Sequence, residues 1–306
     1  MIVVMGPTAA GKSNLALKIA ESLAGEIISA DSMQVYCGFD IGTGKATDAE
    51  RGRAPHHLID ILDPGEAYSA AQFRKMADEA ILDIHARDGL PIIAGGTGLY
   101  LRALLYGLFE APESDPKIRS QHEKQAAEEG VEALYLQLQE VDPNAASRIS
   151  GSDFVRISRA LEVFQQTGRP ISELQAEHAF STSRYKTLRI GLDPGRELLN
   201  ERIENRIDAM MDSGWLAEVQ RLIAAGYGDT RAMGALGYKQ LAAHCRGELD
   251  LEDAVRQTKR DTRHFSRRQR NWFRSEANVH WFENVDDVDL AWVKDSWMES
   301  KEEKGG

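Results

Sequence analysis

An apolar stretch at the start of the chain runs straight into a glycine-rich loop, and a helical pattern follows the loop. The apolar stretch is Ile2–Met5, and Leu15, Ile19 and Leu23 recur after the loop at helical spacing. The loop fits the pattern G-x-x-x-x-G-K-[ST] and consists of Gly6, Pro7, Thr8, Ala9, Ala10, Gly11, Lys12 and Ser13. Glycines let such a loop wrap closely, so that backbone N–H groups point at phosphate oxygens. The segment therefore predicts a phosphate-binding loop, with a plain strand–helix turn as the alternative.

The phosphate-binding loop indicates a bound diphosphate without identifying the molecule that carries it. Lys12 supplies a mobile positive charge, and the Ser13 hydroxyl can reach Mg²⁺. ATP is the commonest such molecule, but the loop residues do not say whether a phosphoryl group is transferred. We expect Mg²⁺ as the cofactor, with Ser13 as its protein ligand.

Strand patterns alternate with amphipathic helix patterns over the first third of the chain. Glu26–Ala30 and Pro91–Ala94 have the character of buried strands, and Ser69 is suited to cap a helix between them. This alternation predicts βαβ units and a parallel sheet flanked by helices, which is an α/β fold. Leu188–Leu192 predicts a strand that returns to the same sheet.

The middle of the chain has helical patterns without strands between them. We expect an α/β core in two parts, 1–114 and 186–306, with an all-helical insertion domain at 115–185. The second part of the core should hold a long basic helix near Leu251–Arg274 and a short strand at His280–Phe282. The helices expected in the insertion are Lys117–Glu129, Val131–Glu140 and Asp153–Thr167.

Two polar residues directly follow predicted strands. Asp31 comes after the strand Glu26–Ala30, and Thr97 comes shortly after the strand Pro91–Ala94. Ligands of open α/β sheets bind beyond the carboxyl ends of the strands, so both residues should share a crevice with Lys12. Asp31 could be a general base, a magnesium ligand or a helix cap, and Thr97 could be a turn hydroxyl that satisfies its own backbone.

The charge of the chain is unevenly distributed. The formal net charge is −11, which taken alone speaks against a nucleic-acid partner. However, basic residues at spacings of three and four form one stripe along a helix, and they are Arg256, Arg260, Arg263, Arg267 and Arg270. The stripe predicts a surface that follows the phosphates of a folded RNA. The alternative is a solvated helix face that pairs with the protein's own carboxylates.

Several other features narrow the class of protein. The two cysteines, Cys37 and Cys245, cannot form a disulfide framework or a tetrahedral zinc site by themselves, which fits the cytoplasm. No apolar run approaches the length of a membrane span, and the N-terminus does not resemble a signal peptide. His56 and His57 are adjacent and have no third ligand near them in sequence, so a metal site there is disfavoured. We expect a cytoplasmic protein that acts as a monomer away from membranes.

Seven short blocks stand in a fixed order along the chain. They are Gly6–Ser13, Asp31–Tyr36, Asp40–Lys45, Pro55–Leu58, Gly95–Tyr100, Arg159–Val163 and Arg267–Arg274. Together they resemble those of the tRNA dimethylallyltransferase (tRNA isopentenyltransferase) family. Each block alone is a weak signal, but seven in the right order cover nearly the whole chain. The resemblance implies a P-loop NTPase-like core with an inserted helical domain that takes part in tRNA binding.

The resemblance also implies an activity. The family transfers a dimethylallyl group from dimethylallyl diphosphate to N6 of the adenosine next to the anticodon, with help from Mg²⁺. By the same resemblance, Asp31 would accept the proton from the attacking amine, and Thr97 would lie beside the diphosphate and the target base. Arg206 would stabilise the departing diphosphate, which the phosphate-binding loop holds.

The expected tRNA contacts combine the resemblance with the basic stripe. They are Asp31, Ser32, Met33, Gln34, Thr97, Arg119, Val155, Arg156, Ile157, Ser158, Arg159, Arg267 and Arg270. The chain departs from the family pattern at Ser150–Asp153, where His-Pro-Asn-Asp is usual, at Ala46, where Pro is usual, and at Asn271, where Thr is usual.

Other functions remain open on the residues alone. A small-molecule kinase could use the same loop for ATP, with Asp31 activating a hydroxyl. A prenyltransferase could act on free adenine nucleotides instead of tRNA. An RNA-binding protein could use the loop only as a nucleotide-dependent switch.

Overall fold

A computed structural model describes residues 1–109, 111–178 and 182–302, and the chain divides into two compact units. The first unit comprises Met1–Leu105 and Arg184–Gly306, and the second comprises Tyr106–Ser183. The first unit is thus discontinuous in sequence. The second unit begins nine residues before the insertion boundary expected at 115 and ends two residues before the one expected at 185.

The first unit is built around a parallel sheet. Its strands, among the described residues, are β1 (Ile2–Met5), β2 (Gly25–Ser29), β3 (His56–His57), β4 (Leu90–Gly95), β5 (Leu188–Leu192) and β6 (His280–Phe282). The order across the sheet is β3-β2-β4-β1-β5-β6, and every pairing is parallel. The expected strands are confirmed, and β3 is an addition, because two residues are too few to produce a pattern.

The strands at the centre of the sheet are buried on both faces. Every residue of β1 and β5 is buried, as expected for parallel strands covered by helices. In the register of the sheet, Met5 lies opposite Gly95 on one side and Gly191 on the other. The carboxyl ends of β1, β4 and β5 therefore meet at one edge, where the loops that follow them come together.

The helices account for most of the remaining described chain. They are α1 (Lys12–Leu23), α2 (Asp48–Arg53), α3 (Ala70–Ala86), α4 (Gly98–Tyr106), α5 (Pro116–Glu129), α6 (Val131–Val141), α7 (Pro143–Ala146), α8 (Phe154–Thr167), α9 (Ile171–His178), α10 (Arg196–Asp212), α11 (Trp215–Ala224), α12 (Tyr238–Cys245), α13 (Leu251–Arg274) and α14 (Leu290–Glu302). None of the helices in the described part of the chain is long and apolar enough to cross a membrane.

The second unit is helical and has a core of its own. Leu134 and Leu138 of α6 pack with Ile157 and Leu161 of α8, and all four side chains are buried. The three helices expected here are present as α5, α6 and α8. Asp153 caps α8 rather than belonging to it, since its carboxylate accepts the backbone N–H of Arg156. The short helices α7 and α9 were not expected.

Candidate active site

A pocket of about 500 Å³ lies in the first unit at the carboxyl edge of the sheet. Its walls come from the loops that follow β1, β2 and β4, together with α10, α13 and the start of α11. The structure brings together the phosphate-binding loop, Asp31, Thr97 and Arg206 in this pocket, as the sequence predicted. These residues come from distant parts of the chain, and the sheet topology gathers them.

The phosphate-binding loop has the backbone conformation that an anion site requires. Gly6 and Gly11 have φ angles of 147° and 98°, which disfavour other residues, and a Cβ on Gly6 would lie 2.4 Å from the Leu192 carbonyl oxygen. Gly11 is the N-cap of α1 and provides no side-chain hydrogen bond to the first turn. The first N–H groups of α1 are therefore available, with the helix dipole, to a negatively charged ligand.

Two cations converge in the pocket near Asp31 without a direct ion pair to it in the described chain. The Lys12 ammonium donates a hydrogen bond to the Pro7 carbonyl at 2.6 Å, and Arg206 donates one to the Thr43 carbonyl at 3.4 Å. Neither cation forms an ion pair within the described part of the chain. Arg206 also packs against Gly44, where a Cβ would lie 2.1 Å from the guanidinium. Such a pair is suited to an anion with more than one charge.

Burial lowers the pKa of both cations. Desolvation and, to a smaller extent, the positive charge of Arg206 together lower the pKa of Lys12 to about 7, and Asp31 opposes the shift. Burial likewise lowers the pKa of Arg206, again against the attraction of Asp31. The accessible surface that Lys12 retains lies inside the pocket, so protein still surrounds the ammonium. A bound diphosphate would relieve this repulsion.

Asp31 both organises a turn and presents a free oxygen. Its Oδ1 accepts the backbone N–H of Met33 at 2.8 Å and that of Gln34 at 3.4 Å. Its Oδ2 has no hydrogen-bond partner among the described residues. Asp31 therefore closes a turn and does not cap a helix, since the next helix begins only at Asp48, and one carboxylate oxygen stays available to accept a proton.

Gln269 joins two loops of the pocket and was not singled out from the sequence. Its Oε1 accepts the Thr8 backbone N–H at 2.9 Å, and its Nε2 donates to the Gly96 carbonyl at 2.8 Å. The side chain thus ties the phosphate-binding loop to the loop that contains Thr97. The spacing in the sequence could have indicated a buried role for Gln269, because it shares the buried face of α13 with Ser266 and Phe273.

One wall of the pocket is apolar. Ile203, Ile207 and Met210 lie on the same face of α10 as Arg206, and Trp215 at the start of α11 follows them. All four apolar side chains are buried. Sequence reasoning missed this part of the site, because helical apolar spacing does not distinguish a pocket wall from a core face.

The basic stripe on α13 is largely paired with carboxylates of the same unit. Arg263 contacts Glu204 at 2.5 Å, and Arg270 contacts Asp193 at 2.6 Å. Arg256 and Arg260 pair with acidic residues of α13 itself. Arg270 is therefore not a free cation, since Asp193 engages its guanidinium, and its contact with tRNA stays a prediction. Arg267 is exposed and has no ion pair in the described chain, so it stays a predicted contact.

Like Arg267, Arg268 is an exposed arginine of α13 without an ion pair in the described chain. It was not predicted as a tRNA contact. Its guanidinium lies 5.8 Å from the centroid of the Phe265 ring, and both residues line the pocket. Arg267 and Arg268 together leave one part of the helix positively charged beside the pocket.

The second unit holds the other predicted tRNA contacts. Val155 and Arg156 are exposed on α8, and Arg119 is exposed on α5 with Glu123 as its partner at 3.2 Å. The prediction is wrong for Ile157 and Ser158, because the helical repeat turns both into the core, where Ser158 hydrogen-bonds His122 at 2.9 Å. Arg159 lies at the edge of this face and pairs with Glu162 at 2.7 Å.

The remaining candidates do not form sites. No cluster of three or more histidine, cysteine, aspartate or glutamate side chains in the described chain could hold a metal ion. The His56 ring contacts the Ala54 carbonyl at 2.8 Å, and the His57 ring contacts Glu26 at 2.7 Å. Cys37 and Cys245 are free and exposed.

Known proteins resemble this chain in sequence and structure. The sequence profile of the IPP transferase family matches residues 34–276. The tRNA dimethylallyltransferase of Geobacter metallireducens is 49% identical over 284 residues, which cover 92% of each chain. The crystal structure of the full-length tRNA isopentenylpyrophosphate transferase from Bacillus halodurans has a TM-score of 0.72 at 38% identity, covering 99% of this chain and 97% of that one. A eukaryotic dimethylallyltransferase, captured in crystals acting on tRNA, has a TM-score of 0.77 at 28% identity, covering 98% of this chain and 77% of its own.

Proposed function

Because this chain belongs to the IPP transferase family, that of the tRNA dimethylallyltransferases, we propose that it transfers a dimethylallyl group from dimethylallyl diphosphate to tRNA. The acceptor is N6 of the adenosine adjacent to the anticodon. One observation carries the proposal: a phosphate-binding loop, two cations without ion pairs in the described chain, buried apolar side chains and the Asp31 carboxylate all line one pocket.

The reaction requires stabilisation of the leaving group above all. The bond between C1 of the allyl group and the bridging oxygen breaks, and its electron pair leaves with the diphosphate. The N6 lone pair forms the new C–N bond. An exocyclic adenine amine is a poor nucleophile, so groups that bind the developing charge on the diphosphate should contribute most. Lys12, Arg206 and the N–H groups at the start of α1 are placed to do this.

Proton removal completes the reaction. The attacked N6 amine becomes acidic as the new bond forms, and Asp31 is proposed to take its proton on Oδ2, which is free of other hydrogen bonds in the described chain. Oδ1 keeps its contact with the Met33 N–H during this step, so the turn that positions the carboxylate stays intact.

Ser13 fits the expected magnesium ion in one respect. It lies in the first turn of α1, lines the pocket and makes no side-chain hydrogen bond among the described residues. Magnesium commonly takes one or two protein oxygens and completes its shell with substrate phosphates and water, so a single hydroxyl in the first turn of α1 suits it. When bound, the ion would neutralise charge on the diphosphate.

The tRNA is proposed to present its target base to the open side of the pocket. N6 is packed in the anticodon loop stack, so the base must be flipped out to react. Asp31, Ser32, Met33, Gln34 and Thr97 line the pocket and are proposed to contact the flipped nucleotide. Arg267 and Arg268, with Arg119, Val155, Arg156 and Arg159 of the second unit, are proposed to contact the rest of the RNA.

Kinase activity, transfer to free nucleotides and a switch without chemistry are not favoured. The relatives that match over nearly the whole chain are tRNA dimethylallyltransferases. We also propose that the protein acts as a monomer in the cytoplasm. Light scattering on the purified protein, with and without tRNA, tests the monomeric state.

Mass spectrometry of modified tRNA tests the reaction directly. Unmodified tRNA, Mg²⁺ and dimethylallyl diphosphate are incubated with the protein, and the RNA is digested to nucleosides. We expect one adenosine, next to the anticodon, to gain a five-carbon group. ATP consumption with a nucleoside acceptor, and no adduct on tRNA, would overturn the proposal in favour of a kinase.

A further inference from the structure

Trp215 belongs to the apolar wall of the pocket, and the backbone approaches both ends of its indole closely. A Cβ on Gly42 would lie 2.1 Å from the Trp215 Nε1, and a Cβ on Gly237 would lie 2.0 Å from Cη2. The backbone at these two glycines therefore presses directly on the ring. The Tyr238 ring meets the indole edge-on, with 5.6 Å between centroids. The indole has no room to change its rotamer.

A buried carboxylate holds the residues that surround Trp215 in place. Glu218 is 2% exposed, and its Oε2 accepts the backbone N–H groups of Asp40 at 3.1 Å and Ile41 at 2.7 Å. Its Oε1 accepts the Tyr238 hydroxyl at 2.6 Å. Because Glu218 holds both the loop that leads into Gly42 and the ring of Tyr238, these neighbours of Trp215 cannot move away without breaking hydrogen bonds of a buried carboxylate.

The apolar wall begins directly beside the cations. A Cβ on Gly44 would lie 2.1 Å from the Arg206 Nη2 and 3.5 Å from the Met210 Cε, and Trp215 lines the same pocket. A diphosphate held by Lys12 and Arg206 would place its allyl group against this wall. A ten-carbon group would need apolar room that the tightly held indole does not yield.

We propose that Trp215 sets the length of the prenyl group, by excluding donors that are one isoprene unit longer than dimethylallyl diphosphate. The proposal rests on the proposed function. Selectivity follows from the rigidity of the wall, since a longer donor could enter only by displacing Gly42, Tyr238 or the Glu218 contacts. The bond changes are those of the dimethylallyl reaction, with geranyl diphosphate as the longer donor.

Competing donors test the proposal. The values of kcat/KM for dimethylallyl and geranyl diphosphate are measured with one anticodon stem–loop RNA for the wild type, Trp215→Ala and Trp215→Phe. We expect the wild type to favour dimethylallyl diphosphate, and Trp215→Ala to raise the geranyl-to-dimethylallyl ratio at least tenfold. Trp215→Phe should raise it less. This variant loses no hydrogen bond, because the Nε1 has no partner in the described chain, and it should keep its fold if the alanine variant does not.

Trp292→Ala is the matched control. Trp292 packs with Phe282 in the same unit but does not line the pocket, so its removal should leave the ratio unchanged. An unchanged ratio in folded Trp215→Phe and Trp215→Ala would overturn the proposal, as would equal use of both donors by the wild type. A higher KM for RNA without a change in the ratio would also overturn it, by placing the base against Trp215. If the wild type modifies no RNA with dimethylallyl diphosphate, the proposed function itself fails.

Discussion

Asp31 shows how one carboxylate can serve structure and chemistry at once. Its Oδ1 caps the turn at Met33, while its Oδ2 is free among the described residues. Asparagine preserves an oxygen that can accept the Met33 N–H but cannot accept a proton. We expect Asp31→Asn to slow the chemical step by about 10²–10⁴-fold in single-turnover experiments. Its affinity for RNA and its melting temperature should stay close to those of the wild type.

Asp31→Ala separates the two roles. This variant loses the cap as well as the base, so it should also lower the free energy of unfolding by about 1 kcal/mol. Equal losses of RNA affinity and of chemical rate in Asp31→Asn would contradict the base assignment.

Lys12 should take up a proton when a diphosphate binds. Its pKa is lowered to about 7 in the free protein by desolvation and by Arg206, so at pH 8 the side chain is mostly neutral. A bound anion favours the charged form and raises the pKa. Binding of inorganic diphosphate, measured calorimetrically at pH 8 in buffers of different ionisation enthalpy, should therefore show proton uptake that disappears near pH 6.

Lys12→Arg is the control for this titration. Arginine keeps the positive charge but does not deprotonate at pH 8, so the part of the uptake that belongs to Lys12 should vanish while binding persists. Identical uptake in the wild type and in Lys12→Arg would show that other groups titrate.

At the scale of a single element, α13 combines a buried face with an exposed one. Gln269 on the buried face bridges the Thr8 N–H and the Gly96 carbonyl. Gln269→Leu keeps the approximate size and leaves both backbone groups without this partner. We expect a loss of about 1–3 kcal/mol in the free energy of unfolding and a higher KM for dimethylallyl diphosphate. Ser275→Ala, near the end of the same helix, is the control. An unchanged KM in Gln269→Leu would mean that the bridge does not shape the phosphate-binding loop.

We expect some arginines of α13 to bind RNA and others to stabilise the fold. Arg267 is exposed without an ion pair in the described chain, whereas Arg270 contacts the partly buried carboxylate of Asp193 at 2.6 Å. Arg267→Ala should weaken tRNA binding and reduce the slope of log affinity against log salt by about one unit. Arg270→Ala should instead lower thermal stability and leave the slope nearly unchanged. The opposite result would place Arg270, and not Arg267, on RNA.

Sequence patterns predicted helices and strands best where the pattern extends over several consecutive residues. The bounds of β1, β5, β6 and α13 agree with expectation, because each has a continuous apolar run, an apolar–polar period or clear flanking residues. The pattern could not reveal β3, which exists only through its pairing with β2. Likewise, the spacing of the arginines predicted a stripe but not the acidic partners that other helices bring to it.

At the scale of the whole molecule, the site residues that the sequence could predict are those that lie in short motifs. Lys12, Asp31 and Thr97 follow strands, so their convergence was foreseeable from an α/β fold. Gln269 and Trp215 reach the pocket from the second half of the chain, and only the tertiary fold brings them there. The net charge of the chain also gave no indication of the ion pairs on α13. It is a sum over all residues and does not show which carboxylates lie beside which arginines.

The discontinuity of the first unit sets an order of events during synthesis. β1 pairs with β4 early in the chain, but its other neighbour, β5, begins only at Leu188. At about 5–20 residues per second, a ribosome needs roughly 10 to 40 s to translate the chain between them. The helical unit, with its own core, leaves the ribosome complete during that interval, while one edge of β1 stays open. The nascent chain therefore carries an unpaired, apolar strand edge for most of its translation, and this edge is where chaperone binding or aggregation would begin.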